Sequence, residues 1–378
     1  MESKPNILLF TDWYLPAYKA GGPVVSIYQL VQLMQKKFQF YIICSNSDLG
    51  ENEAFKNIDT NTWIDGDYGE KIKYWRKKNC IKNNYLLLIK ETKPMAIYYN
   101  SVFSYNFTLK PIFYYLKLYD VKQFLSPRGM LHSAAISLKS RKKRLFLWLI
   151  KYTHFFRNII FIATDKQEQK YISHHELKTP IIIVPNIPDC SFLDLETSII
   201  KQNHIITIAR IAPEKNALMA LDVISEISKP ITYTWIGDSK NKNYFDSFMQ
   251  KAQNLPPHID FKYLGALPKK EVKKVILESN IFFLPTLGEN YGHAIFEALA
   301  ASLPSVIGNN TPFINADMPG LYQAASDNKN QFRIHLENLL SLTKDEYIEE
   351  KKAAKKIAEN SFDEKKLFAQ YLEIFWDK

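Results

Sequence analysis

The chain alternates short runs of β-branched and aromatic residues with longer segments whose apolar positions recur every three or four residues. This pattern predicts strands over 6–10, 40–44, 95–99, 122–125, 159–163 and 181–184, then over 204–209, 231–236, 260–264, 281–284 and 304–307. Helical periodicity fills the intervals at 24–36, 106–119, 133–156 and 165–174, then at 215–228, 244–253, 269–279 and 291–301. Strands separated by helices in this way argue for parallel sheets covered by helices. The stretch 185–202 is polar, contains proline and has no clear period, so it reads as a linker between two such arrays, 1–188 and 203–359. From 331 onward the tail is helical and charged, with aromatic residues at Phe362, Phe368, Tyr371 and Phe375. The expected architecture is α/β, with two doubly wound domains facing a central cleft. In such sheets ligands bind beyond the carboxyl ends of the strands.

Composition narrows the class. A chain of 378 residues with 46% hydrophobic positions is long enough for two cores. Three cysteines without paired spacing, Cys44, Cys80 and Cys190, indicate neither a disulfide framework nor a zinc site, and a reducing cytoplasm fits. The N-terminus enters a strand without a long enough apolar run for a signal peptide, and no run approaches the length of a membrane span. The net charge of +10 admits nucleic acid, anionic lipid or anionic substrates. Most of it is scattered lysine and no nucleic-acid module is present. Arginine is scarce, with seven in the chain. Its planar fork suits phosphate and carboxylate. Arg128 and Arg210 both stand at strand ends inside small, polar loops.

Several strand-end loops are candidates for chemistry. After the first strand, Gly21 and Gly22 precede a helix opened by Pro23, which allows close approach of a phosphate or an acceptor but also suits a plain tight loop. Arg128 lies between Pro127 and Gly129, where ordering an arginine calls for an anion; nearby His132 reads as structural. Arg210 and Lys215 are five residues apart across the end of the 204–209 strand. A lysine in a first helical turn opposes the helix dipole unless an anion compensates it. A diphosphate would do so for both residues, and a surface ion pair with Glu214 is the plainer alternative. Gly237 with Asp238, and Gly265 with Ala266 and Leu267, expose backbone after two further strands and can floor a nucleotide pocket or simply turn. Asp65-Gly66-Asp67 has the form of a metal-binding pair but reads as a glycine turn between acidic caps, so no metal is expected. The segment from Lys139 to Phe156 is basic and then apolar, with Leu145, Trp148, Leu149 and Tyr152 at helical spacing. It fits an anionic membrane surface or a core helix with a solvated end.

The stretch from Asn280 to Asn309, NIFFLPTLGENYGHAIFEALAASLPSVIGN, carries the most information. A buried strand ends in a small loop, and a helix follows with Glu289 at its mouth and Glu297 inside. A helix start suits phosphate, whereas a carboxylate there suits sugar hydroxyls. Eight residues of helix span roughly 12 Å, about the length of a ribose–diphosphate–sugar unit.

With these motifs in place, the chain resembles the family 4 glycosyltransferases, which are retaining enzymes of the GT-B fold with two Rossmann-like domains. The resemblance is strongest through ITIARIAPEKNALMAL, TWIGDS, YLGALPKKEV and LPTLGENYGHAIFEALAASLPSVIGN. It implies that Arg210 and Lys215 contact the donor diphosphate, Glu289 the donor sugar and Glu297 the ribose. The backbone of Asn290, Tyr291, Gly292 and His293 would hold sugar and phosphate. Gly21 and Gly22 match an N-terminal glycine loop, and Arg128 stands where many members carry histidine. Asn290 replaces a commoner glycine. The resemblance further implies an acceptor-binding first domain, a donor-binding second domain and a last helix, about 360–378, crossing back to the first. The expected reaction is metal-independent, cofactor-free transfer from a UDP-, GDP- or ADP-sugar to a glycan or polyprenyl-linked glycan in surface-polysaccharide synthesis, such as O-antigen, capsule or lipopolysaccharide. The expected location is the cytoplasm, on the inner face of the plasma membrane. A sugar-nucleotide epimerase or a phosphorylase on the same architecture is the alternative.

Overall fold

The computed structural model describes residues 4–118, 120–131, 140–195, 203–313 and 318–376. The chain divides into two units, one of residues 1–187 with 364–378, the other of 188–363.

Unit 1 holds β1 (Asn6–Thr11), β2 (Gln39–Ser45), β3 (Ile64–Asp65), β4 (Lys71–Trp75), β5 (Ala96–Asn100), β6 (Lys122–Ser126), β7 (Ile159–Ala163) and β8 (Ile181–Ile183). They form one sheet in the order β3-β4-β2-β1-β5-β6-β7-β8. All pairings are parallel except β3 with β4. Its helices are α1 (Gly22–Met34), α2 (Lys82–Thr92), α3 (Lys110–Tyr114), α4 (Ser140–Thr153) and α5 (Lys166–His174). The apolar faces of α2, α3 and α4 supply Tyr85, Leu88, Ile112, Leu147 and Ile150, and Tyr115 just after α3 joins them, in a core under β1, β5 and β6.

Unit 2 has a second sheet, parallel throughout, of β9 (His204–Ile208), β10 (Ile231–Ile236), β11 (Ile259–Gly265), β12 (Ile281–Leu284), β13 (Ser305–Gly308) and β14 (Leu321–Ala324). The order is β11-β10-β9-β12-β13-β14. Its helices are α6 (Ala217–Ser225), α7 (Lys242–Gln253), α8 (Lys269–Glu278), α9 (His293–Ala300), α10 (Lys329–Ser341) and α11 (Lys344–Asn360). Two cores, one on each side of the strands, sandwich the sheet. A capping box between Thr343 and Glu346 starts α11.

The last helix, α12 (Glu364–Trp376), packs in unit 1. It buries Leu367, Tyr371 and Phe375 at i, i+4, i+8 spacing. The Phe375 ring lies 5.5 Å from Phe38, 5.7 Å from Phe124 and 6.3 Å from Tyr98, and the Tyr371 hydroxyl donates to the Pro185 carbonyl at 3.2 Å. Phe362 is not part of this stripe; it packs edge-to-face against Phe296 within unit 2, with ring centroids 5.6 Å apart.

Several expectations need correction. The hairpin β3–β4 was not visible because Lys71 and Lys73 make β4 look polar. Lys73 is buried and neutralised by Glu91 at 3.0 Å. Asp65 and Asp67 sit at that hairpin, Asp65 paired with Lys71 and Asp67 accepting from the Tyr28 hydroxyl at 3.1 Å. The segment 106–119 is not one helix: a π-turn, Tyr105–Leu109, precedes the five-residue α3. The stretch read as a linker is partly core, since Phe192 is fully buried in unit 2. His132 and Lys139 lie outside the described residues, as do the side chains of 140–144.

Phe375→Ala removes an aromatic from a fully packed site and should cost roughly 3–5 kcal/mol. Urea unfolding of the full chain checks this, with a lowered midpoint expected for the unit 1 transition.

Candidate donor site at the switch point of unit 2

In unit 2, β9 lies between β10 and β12, so the connections leave it in opposite directions. The loops after β9 and β12 diverge there, which makes their carboxyl ends the place for a ligand. The β9 loop carries Arg210 and then a 3-10 turn, Pro213–Lys215, closed by Asn216 in the left-handed region. Lys215 therefore ends a separate turn ahead of α6 instead of lying within that helix's first turn. The β12 loop reaches the β9 loop through two bonds to one carbonyl. Thr286 Oγ1 donates to Glu214 O at 3.1 Å and the Leu287 N–H at 3.0 Å. Gly308 permits this packing, because a Cβ there would lie 2.2 Å from the Thr286 carbonyl oxygen.

The consequence is a direct ion pair. Lys215 Nζ lies 2.6 and 2.7 Å from the two Glu289 oxygens. The side chains are 18% and 12% exposed. Removing either partner would leave a poorly solvated charge, a costly state. Arg210 instead bonds Glu214 at 3.0 Å and is 43% exposed. Such a screened pair is worth about 0–1 kcal/mol, so a phosphate can replace the carboxylate at little cost.

Helix α9 begins at His293, two residues later than the pattern predicts, after Gly292 in the left-handed conformation. Gly292, as N-cap, offers it no side-chain cap bond, and the positive end of the helix dipole there favours an anion. Glu289 thus belongs to the loop, and the helical part of the Glu289–Glu297 interval, 293–297, rises only about 6 Å. Asn290 precedes Tyr291, whose ring packs 4.7 Å from His293. On the other side of β9, Gly237 has φ 143° and a Cβ there would meet the Ala209 carbonyl at 2.0 Å. The Gly237 N–H donates to Gly265 O, and Asp238 O accepts from the Ile211 N–H at 2.9 Å. These bonds brace the β9 loop. Ala266 and the half-buried Leu267 follow Gly265 toward α8.

Glu297 is buried on α9. Burial raises its carboxyl to about 7, against the attraction of Lys269 and Lys273. Burial in turn lowers Lys269 to about 8 and brings Lys273 down. Lys269 also pairs with Asp189, and Lys273 Nζ donates to Ser191 Oγ at 2.8 Å. Sequence reasoning missed Lys269, Lys273 and Asp189. The signal was available, because Lys269 opens a helix directly after Pro268 and opposes its dipole as argued for Lys215.

In unit 1, β1 holds the equivalent position, between β2 and β5. Asp12 accepts from Ser104 Oγ at 2.7 Å and Ser101 Oγ at 3.2 Å. Gly21 has φ 65° with open space around it, and Gly22 starts α1. Arg128, with φ 54°, meets no carboxylate among the described residues; it bonds Asn100 Oδ1 at 2.8 Å, the Tyr98 hydroxyl at 3.0 Å and Asn186. The described partners of this arginine are neutral oxygens, none of which cancels its charge.

The fold is that of the GT-B glycosyltransferases. Sucrose-phosphate synthase from Thermosynechococcus elongatus superposes with a TM-score of 0.73, at 12% identity over 99% of this chain and 98% of that one. HepE of Anabaena, solved with UDP and glucose, gives 0.72 at 13% identity over 98% and 99%. Trehalose-6-phosphate synthase OtsA gives 0.68 at 9% identity over 99% of each chain. Residues 196–362, most of unit 2, match the family described as Glycosyl transferases group 1. No curated protein sequence matches the chain.

Between pH 4.5 and 7 the folded protein holds a proton on Glu297 that the unfolded chain has lost, so stability falls as pH rises through this window. In Glu297→Gln that decline should be absent. Urea midpoints at pH 5 and pH 7 for both proteins check it, with the larger drop expected in the wild type.

Proposed function

We propose that the protein is a retaining glycosyltransferase that moves a sugar from a nucleoside-diphosphate sugar to a hydroxyl of a glycan or lipid-linked glycan, with unit 2 holding the donor and unit 1 the acceptor. The observation that carries this reading is the Lys215–Glu289 pair at the unit 2 switch point. The pair is self-neutralising when empty. A bound donor would offer each partner a better match, diphosphate oxygens for Lys215 and sugar hydroxyls for Glu289. Arg210 joins the diphosphate by leaving Glu214, and the start of α9 adds the positive end of its dipole. Charge building on the leaving diphosphate is then stabilised by groups already in place. These cations supply what a divalent metal otherwise would, so activity in excess EDTA is expected. Glu289 fixes the sugar hydroxyls and is assigned no covalent role; the leaving phosphate accepts the acceptor proton. Glu297 is assigned to the ribose, and Gly237, Asp238, Gly265, Ala266 and Leu267 to the floor of the nucleotide site.

The HepE structure with UDP-glucose supports testing uridine donors first, with GDP- and ADP-sugars alongside. Lys215→Ala should weaken UDP binding at least about tenfold, the loss expected for a charge-assisted bond. Calorimetry reads it, and unchanged affinity removes Lys215 from the site. Glu289→Gln should keep UDP affinity within a few fold while sugar transfer is lost. Failure of every sugar nucleotide to bind or release nucleotide would sink the proposal.

A cytoplasmic protein acting on lipid-linked glycans in surface-polysaccharide synthesis would meet the membrane surface. Among the described residues no helix is long and apolar enough to cross a membrane. On α4, however, Leu145, Trp148, Leu149 and Tyr152 are 47–64% exposed. This face next to a basic segment supports reversible docking on an anionic bilayer. The full chain should sediment with vesicles containing phosphatidylglycerol and not with pure phosphatidylcholine. Trp148→Ala with Leu149→Ala should abolish the difference; equal sedimentation with both vesicle types overturns the docking.

A further inference from the structure

A pocket of about 760 Å³ opens in unit 1 beyond the carboxyl ends of β1, β2 and β4. Its size suits a ligand of one to a few sugar rings. Trp13, Trp75 and Phe107 provide apolar surface, and Asn46 and Asn106 provide amides suited to hydroxyls. Three consecutive cations, Arg76, Lys77 and Lys78, line the same pocket.

The charges in this pocket are unequally satisfied. Each of its three carboxylates is engaged. Asp12 holds the two serine hydroxyls described above. Asp48 accepts from the backbone amides of Tyr18 at 2.9 Å, Lys19 at 3.2 Å and Leu49 at 2.6 Å. Glu51 pairs with Lys19 at 2.7 Å. By contrast, Arg76, Lys77 and Lys78 have no acidic partner among the described residues. The 3-10 turn Lys77–Asn79 fixes two of them directly after β4. Three like charges on adjacent residues repel one another, and an anion in the pocket relieves the repulsion. Arg76 is also one of only seven arginines in the chain, and its fork favours phosphate or carboxylate.

We infer that this pocket binds a glycan carrying an anionic group, phosphate or carboxylate, and that the Arg76-Lys77-Lys78 triad selects for that charge. The inference rests on the reading that unit 1 holds the acceptor and specifies the acceptor's chemistry: neutral glycans are disfavoured. The sugar ring meets Trp13 while the anion meets the triad.

The test uses the full chain and ligand-observed NMR at about 150 mM salt, where exposed nonspecific attraction is screened. The probes are glucose 1-phosphate, glucuronic acid and glucose, with UDP affinity measured in parallel by calorimetry. Wild-type protein should bind both anionic sugars at least tenfold more tightly than glucose, and the ratio of the two shows whether phosphate or carboxylate is the natural group. The triple variant Arg76→Ala, Lys77→Ala, Lys78→Ala should lose this preference while UDP affinity stays the same, which also reports an intact fold. Trp13→Ala should weaken both anionic sugars and leave UDP unaffected. Equal binding of neutral and anionic sugars, or an unchanged preference in the triple variant, overturns the inference. If UDP binds and the preference is absent, the pocket inference fails alone. If the preference is present and no sugar nucleotide binds, the donor reading fails alone.

Discussion

Unit 2 of this molecule is organised by one contact between charged side chains. Lys215 and Glu289 come from loops on two adjacent strands, and their pairing at 2.6 Å forces those loops into a single surface. The pairing depends on backbone bonds beneath it, where Thr286 and Leu287 both reach the Glu214 carbonyl. Those bonds depend in turn on Gly308, which keeps space beside Thr286, and on Gly237, which lets the next loop brace the β9 turn. A partly buried ion pair contributes little net stability once desolvation is counted. Its value here is positional, since it holds a cation and a carboxylate where a ligand with both anionic and hydroxyl-rich parts can separate them.

The Glu297 cluster follows a different logic. Glu297, Lys269, Lys273 and Asp189 gather between α8, α9 and the turn at 190–192, the carboxylates buried and the lysines partly exposed. Burial pushes the carboxyl toward its neutral form and the lysines toward theirs, while mutual attraction resists both shifts. A hydroxyl arriving beside Glu297 would meet a group whose charge changes near neutral pH. The two glutamates therefore differ in kind: Glu289 has one direct lysine partner, whereas Glu297 titrates within a cluster.

Much of this fold could be read from the strands because each is a short apolar run ending at a small or charged residue. What escaped the sequence pattern has specific physical causes. Lys73 disguises β4, since a buried lysine is tolerated only through Glu91, a partner eighteen residues away. Phe192 disguises a core turn as linker, since one aromatic among polar residues carries no period. Lys215 and Glu289 each stood out in their own loops, but their contact links residues 74 apart in sequence and no periodicity encodes it. The triad at Arg76 was passed over for a similar reason. Three adjacent cations look like an ordinary solvated turn until the neighbouring carboxylates are seen to be occupied.

The return of α12 to unit 1 means that, topologically, unit 2 is an insertion within unit 1. Domains made from one continuous stretch fold in order of synthesis, N-terminal first. This chain cannot follow that order. The strands of unit 1 leave the ribosome first, but the cavity between Phe38, Tyr98 and Phe124 is filled only when Phe375 of α12 arrives, after all of unit 2. Unit 2 is complete before that. The later-made unit is thus the first able to reach its final packing, and a chain cut before Phe375 would keep the site of unit 2 while leaving unit 1 with an open core.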